Sequence, residues 1–148
     1  MKILSKFSLM FLLLAVFASL AAADEPGRHP AYLHALDDLR DARAHLDRFS
    51  PDERIDNQQQ HAIDEIDAAI GEIKRAAIDD GKDLRDHPPI DAHLKRADRF
   101  RKAVELLDKA HHDIAKEEDD PGTRGLQHRA LQHIDEAHHT VETIIHSW

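Results

Sequence analysis

Cysteine is absent from this 148-residue chain. Without it there is no disulfide, no thiol catalysis, no c-type haem attachment and no lipid attachment site behind an export signal. The two methionines, Met1 and Met10, lie in the first ten residues, so the rest of the chain offers no thioether or thiolate for a soft Cu(I) site. Positive charge is in deficit. Lys and Arg number 20 against 29 Asp and Glu, a net charge of −9, which excludes binding to nucleic acid or anionic lipid through bulk charge. Period-two alternation of apolar residues is missing, and with it any sign of β-strands.

The one long apolar run, Phe7 to Leu20, has Lys2 and Lys6 before it and Ala21-Ala22-Ala23 after it. This is the three-part layout of a secretory signal peptide, so residues 1–23 are expected to be cleaved and the mature protein to begin at Asp24. The uncharged stretch is short for a membrane span, so no stable membrane association is expected after cleavage, and the location is expected to be periplasmic or secreted. Losing Lys2 and Lys6 moves the net charge from −9 to −11 with histidine neutral. The remaining residues, 24–148, suffice for one domain with a modest core.

Beyond the leader, apolar residues recur at alternating spacings of three and four along four segments, the period of helices packed side by side. The first carries Tyr32, Leu36, Leu39, Arg43 and Leu46; the second Ile63, Ile66, Ile70, Ile73 and Ala77. The third carries Ala97, Phe100, Val104, Leu107, His111 and Ile114; the fourth Leu131, Ile134, His138, Val141, Ile145 and Trp148. Pro30, the capping box Ser50-Pro51-Asp52-Glu53, Gly81, His87-Pro88-Pro89 and Asp120-Pro121 punctuate them. Helices are predicted over 30–48, 51–79, 91–117 and 122–147.

Shifting the first half by 68 residues matches Ala35 to Ala103, Leu39 to Leu107, Ala42 to Ala110, Ala62 to Ala130, Ile66 to Ile134, Asp67 to Asp135 and Ala69 to Ala137. One offset serves both helices of each hairpin. The expected fold is therefore all-α, an antiparallel up-down-up-down four-helix bundle built from a duplicated helical hairpin.

The strongest chemical bias is histidine: thirteen residues, all beyond position 23. Their full protonation would carry the mature chain from −11 to +2, a large swing over the range where imidazole titrates. No two are three or four residues apart, the spacing with which one helix chelates an ion, and H-E-x-x-H is missing. Nine have an Asp or Glu at that spacing within a helix, against roughly eight expected by chance in so acidic a chain. His111 and His138 stand apart because they occupy apolar seam positions, with Asp108 and Asp135 three residues before them and His112 and His133 at nearly the same level. An interhelical metal site is expected there, from His111, His138, Asp108, His112, His133 and His139. The bland reading of the same pair is a buried polar contact that fixes helix register without any ligand. His128, His139 and His146 form a polar stripe too widely spaced for one ion, and Trp148 is expected to close the bundle end.

The run Leu131-Gln132-His133-Ile134-Asp135-Glu136-Ala137-His138-His139 resembles the small His-rich metal-binding proteins of the bacterial periplasm. That resemblance implies an exported helical bundle with histidines scattered along amphipathic helices. His29-Pro30-Ala31-Tyr32-Leu33-His34-Ala35-Leu36, with Leu39-Arg40, Ala42-Arg43, Glu117-Glu118-Asp119 and Ile134-Asp135-Glu136-Ala137, is also similar to a group of uncharacterised exported bacterial four-helix proteins, which implies no activity. The expected function is binding or buffering of borderline divalent ions, Cu(II), Ni(II) or Zn(II), at multiple moderate sites. The alternative is a non-enzymatic, acid-responsive structural or partner-binding protein. No catalysis is expected, since of the di-iron ligand pattern only Glu136-Ala137-His138-His139 fits. No haem is expected either.

Overall fold

The computed structural model describes residues 31–48, 56–79, 94–116 and 121–148. The leader, Pro30, the Ser50 box, Gly81, His87-Pro88-Pro89 and Asp120 lie outside them. Four helices are present, α1 (Ala31–Leu46), α2 (Asn57–Asp79), α3 (Arg96–Ile114) and α4 (Arg124–His146), with no strand among the described residues. They form a four-helix bundle.

Helix α2 starts at a side-chain cap, whereas α3 and α4 have none. Helix α2 begins at Asn57, later than the predicted 51, because Asp56 accepts a hydrogen bond from the Gln59 backbone N–H at 2.7 Å and so satisfies one of the orphan donors at the helix start. Pro121–Thr123 form a turn, and α4 begins at Arg124 rather than 122.

The topology differs from the expected up-down-up-down order. Helix α1 packs against α2 and α3, and α4 packs against α2 and α3, so α1 and α4 are diagonal, as are α2 and α3. Contacts at every interface run in opposite sequence order. Arg43 meets Asp67 and Gln59 reaches the Leu46 carbonyl between α1 and α2. Arg99 at the start of α3 reaches the Arg48 carbonyl just beyond α1. His111 meets Asp135 and Asp108 meets His138 between α3 and α4. His61 meets Glu136 and Glu72 meets Arg129 between α2 and α4. All neighbours are therefore antiparallel, which forces α2 and α3 to run the same way: up-down-down-up with one long crossover. The cue was connector length. Sixteen residues, 80–95, separate α2 from α3, far more than the two to eight of a short bundle turn and enough at about 3.3 Å each to span a helix of about 34 Å.

The 68-residue correspondence extends to some of the contacts. Gln59 Nε2 donates to the Leu46 carbonyl at 2.6 Å, and its counterpart 68 residues on, Gln127 Nε2, donates to the Ile114 carbonyl at 2.7 Å. In both hairpins a glutamine of the second helix satisfies a terminal carbonyl of the first. Arg43–Asp67 at 2.6 Å likewise has its counterpart in His111–Asp135 at 3.3 Å. Buried Tyr32 corresponds to buried Phe100.

Those two interfaces are the intimate ones, and alanine makes them so. Ala35 and Ala42, Ala62 and Ala69, Ala103 and Ala110, and Ala130 and Ala137 recur every seventh residue and are fully buried. The register places Ala62 opposite Ala137, Ala69 opposite Ala130, Ala42 opposite Ala103 and Ala35 opposite Ala110. Methyl-sized side chains at an interface permit close approach of the helix axes. Leu36, Leu39, Ile66, Ile73, Leu107, Ile134 and Val141 fill the core between them. At one end Trp148 packs edge-on to Phe100, centroids 5.1 Å apart, and the Arg96 guanidinium covers both rings at 5.0 and 5.5 Å. Trp148 closes the end as expected while staying half exposed.

Candidate functional site

Helix α4 sorts its histidines by helical phase. In the run from His133 to His138, Ile134 and Ala137 are buried in the core, His133 and Glu136 face α2, and Asp135 and His138 face α3. Both edges of α4 thus carry imidazole–carboxylate pairs that span a helix interface.

On the α3 edge the pairs are crosswise. His138 Nε2 lies 3.1 Å from Asp108 Oδ1, and His111 Nε2 lies 3.3 Å from Asp135 Oδ1. Each Asp three residues before a histidine serves the histidine of the facing helix. His138 Nδ1 is also 3.6 Å from Glu142. The expected buried seam pair is corrected here: the His111 and His138 side chains are 43% and 26% exposed. The seam proper consists of Leu107, Ala110, Ile114, Ile134, Ala137 and Val141, and the histidines occupy its margin, where a wide apolar stripe meets solvent. Arg43, also placed on an apolar seam by its spacing, is likewise marginal and binds Asp67 and Asp47. The Asp67 hydrogen bond, outweighing partial burial, holds the guanidinium above its ordinary pKa.

On the α2 edge, Glu65 stands between two imidazoles. Its Oε2 is 2.6 Å from His133 Nδ1 and its Oε1 is 3.9 Å from His61 Nδ1. His61 Nε2 is in turn 3.3 Å from Glu136 Oε1. Farther along the same edge, buried Glu72 accepts from Arg129 at 2.9 Å and from Arg75. The Arg129 hydrogen bond, opposed by desolvation, holds the Glu72 carboxyl below its ordinary range.

The six residues expected to form one site are thereby distributed over four places. His111, His138 and Asp108 meet on the α3 edge, and His133 is on the α2 edge. His112 lies instead on a groove of about 290 Å³ between α1 and α3, with Asp38, Asp108, Lys109 and Asp113. There burial, reinforced by Asp113, Asp41 and Asp37 and opposed by Lys109, raises the Asp38 pKa. His139 lines a shallow depression on the outer face of α4 with Glu142, Thr143, His146 and Ser147. His61, Glu65 and Glu136 were not anticipated. The available signal was His61 and Glu65 one turn apart on α2, but i, i+4 acidic spacing is abundant in this chain and carried no weight until α4 was known to lie alongside.

Among the described residues, no group of three or more His, Asp or Glu side chains could hold a metal ion, and no helix is long and apolar enough to cross a membrane. Comparison with protein-family models, curated proteins and solved structures finds no match to this chain.

Proposed function

We propose that this chain is an exported, non-catalytic helical-bundle protein that binds or buffers borderline divalent ions, Cu(II), Ni(II) or Zn(II), at several moderate sites. The observation that carries the reading is the pairing along α4: imidazole nitrogens stand 2.6–3.3 Å from carboxylate oxygens of the facing helix on both edges. Imidazole and carboxylate together suit these ions, and the net negative charge concentrates cations at the surface. The ligands are bound to one another, so an ion has to rearrange them, and moderate affinity follows. Calorimetric titration of the purified, tag-free protein with each ion tests this, and absence of binding at tens of micromolar removes it.

The same pairs favour a second reading, an acid-responsive structural protein. Full protonation of the thirteen histidines would move the net charge by +13 over the range where imidazole titrates, so this reading predicts a metal-free bundle whose stability changes in mild acid. Metal-free unfolding midpoints at pH 7.5 and 5.5 decide it: an unchanged midpoint counts against it.

A further inference from the structure

We propose that the end of the bundle where α3 starts and α4 stops is a docking surface for an acidic segment of another protein, one that also carries an apolar side chain. The surface consists of Leu94, Lys95, Arg96, Arg101, Lys102 and Trp148. It is separate from the imidazole–carboxylate pairs along α4, so it stands whether or not the chain binds metal.

Charge marks the place. The chain carries a net charge of −9, yet residues 95–102 hold Lys95, Arg96, Arg99, Arg101 and Lys102 against the single acid Asp98. These cations sit at the start of a helix, where the macrodipole favours acids, and Lys95 at the cap position makes no side-chain cap hydrogen bond. Arg99 is spent on the fold, since it is buried and donates to the Arg48 carbonyl. Arg101 and Lys102 meet Asp98 and Glu105 at 3.2 and 3.1 Å in exposed contacts three residues apart along one helix. Pairs of that kind contribute little and yield to a better-placed carboxylate.

Apolar surface gathers at the same end. Among the described residues the exposed large apolar side chains are Leu94 and Trp148, 38% and 56% exposed, and both lie here. Trp148 is already held in place, edge-on to Phe100 and under the Arg96 guanidinium, so a partner meets a positioned ring and little rotamer freedom is lost on binding. Tryptophan and arginine are the residue types that dominate binding energy at protein interfaces. Charge complementarity then selects the occupant. A second copy set end to end would bring cations against cations, and an anionic bilayer repels the acidic remainder of the molecule. A short acidic segment reaches the patch alone, because surface charges beyond about 10 Å are screened at ordinary ionic strength. From Lys95 to Lys102 the helix rises about 10 Å, the span of about three residues of extended chain.

Trp148 is the only tryptophan in the chain, so its fluorescence reports on this surface directly in the whole protein. The probe is a synthetic, glutamate-rich octapeptide with one central leucine, beside the same peptide with lysine in place of glutamate. The glutamate peptide is expected to give a saturable blue shift whose affinity falls at least about threefold as ionic strength rises from about 0.02 to about 0.2 M, and the lysine peptide none. Lys95→Glu/Arg101→Glu weakens binding at least about tenfold, whereas Lys109→Glu/Lys116→Glu, the same change in net charge towards the other end of α3, leaves it unchanged. Trp148→Ala, followed by calorimetry, weakens it about tenfold, and circular dichroism confirms that every variant folds. No shift at millimolar glutamate peptide overturns the proposal. Equal weakening by the two double variants overturns the patch as the binding surface, and a larger shift with phosphatidylglycerol vesicles than with the peptide overturns the choice of occupant.

Discussion

Gln59 is 2% exposed, and its side-chain amide is committed at both ends. Nε2 donates to the Leu46 carbonyl at 2.6 Å, and Oε1 accepts from Arg96 at 3.2 Å. Gln59→Ala leaves the Leu46 carbonyl, one of the orphan acceptors at the end of α1, dry and unpaired. An unsatisfied buried acceptor costs about 1–3 kcal/mol, and the space vacated by the amide adds to it, so about 2–3 kcal/mol is expected. The Asp56 cap is untouched because it uses the backbone N–H of Gln59. The repeat supplies an internal control. Gln127 makes the same bond to Ile114 and a second to the Lys116 carbonyl, but it is only half-buried and Lys116 is exposed. Water can take over part of its role, and Gln127→Ala should cost about 0.5–1.5 kcal/mol. At about 3–5 °C per kcal/mol for a domain of this size, thermal unfolding followed by circular dichroism should drop by about 6–15 °C for Gln59→Ala and about 2–7 °C for Gln127→Ala. Urea unfolding gives the free energies directly. Equal losses, or the reverse order, would show that burial of the acceptor does not set the cost.

Ala69→Leu places a branched side chain in the closest helix interface and should destabilise by about 1–3 kcal/mol in urea unfolding, whereas Leu131→Met, in partly buried packing, should cost under about 1.5 kcal/mol. Glu72 has its folded pKa depressed by Arg129, so its stabilisation is complete above the unfolded carboxylate value of about 4.3 and lost as pH falls through the folded value. Glu72→Gln should therefore be less stable by about 1–2 kcal/mol at pH 7, with the two unfolding curves converging towards pH 3; a gap that widens in acid contradicts the assignment. His111→Arg restores the residue type found at Arg43 and should be neutral to stabilising by up to about 0.5 kcal/mol, the scale of an exposed pair. A loss above 1 kcal/mol would mean that the two hairpin contacts are not equivalent.

The amino-acid sequence alone determined the helical class, the four segments and about half of the core, the large residues such as Leu36, Ile66, Leu107 and Ile134 but not the alanine seam. These depend on period and composition, which each segment carries locally. It also marked 43, 111 and 138 as polar interruptions of apolar stripes. The tertiary structure decided which helices are neighbours and in what direction they run, because a period of 3.6 residues defines a face but not what covers it. That one decision turned the expected buried histidine pair into crosswise pairs at a bundle margin, and brought Glu65 of one repeat onto His133 of the other. Imidazoles and carboxylates from helices far apart in sequence become a set only where the fold lays one helix against another.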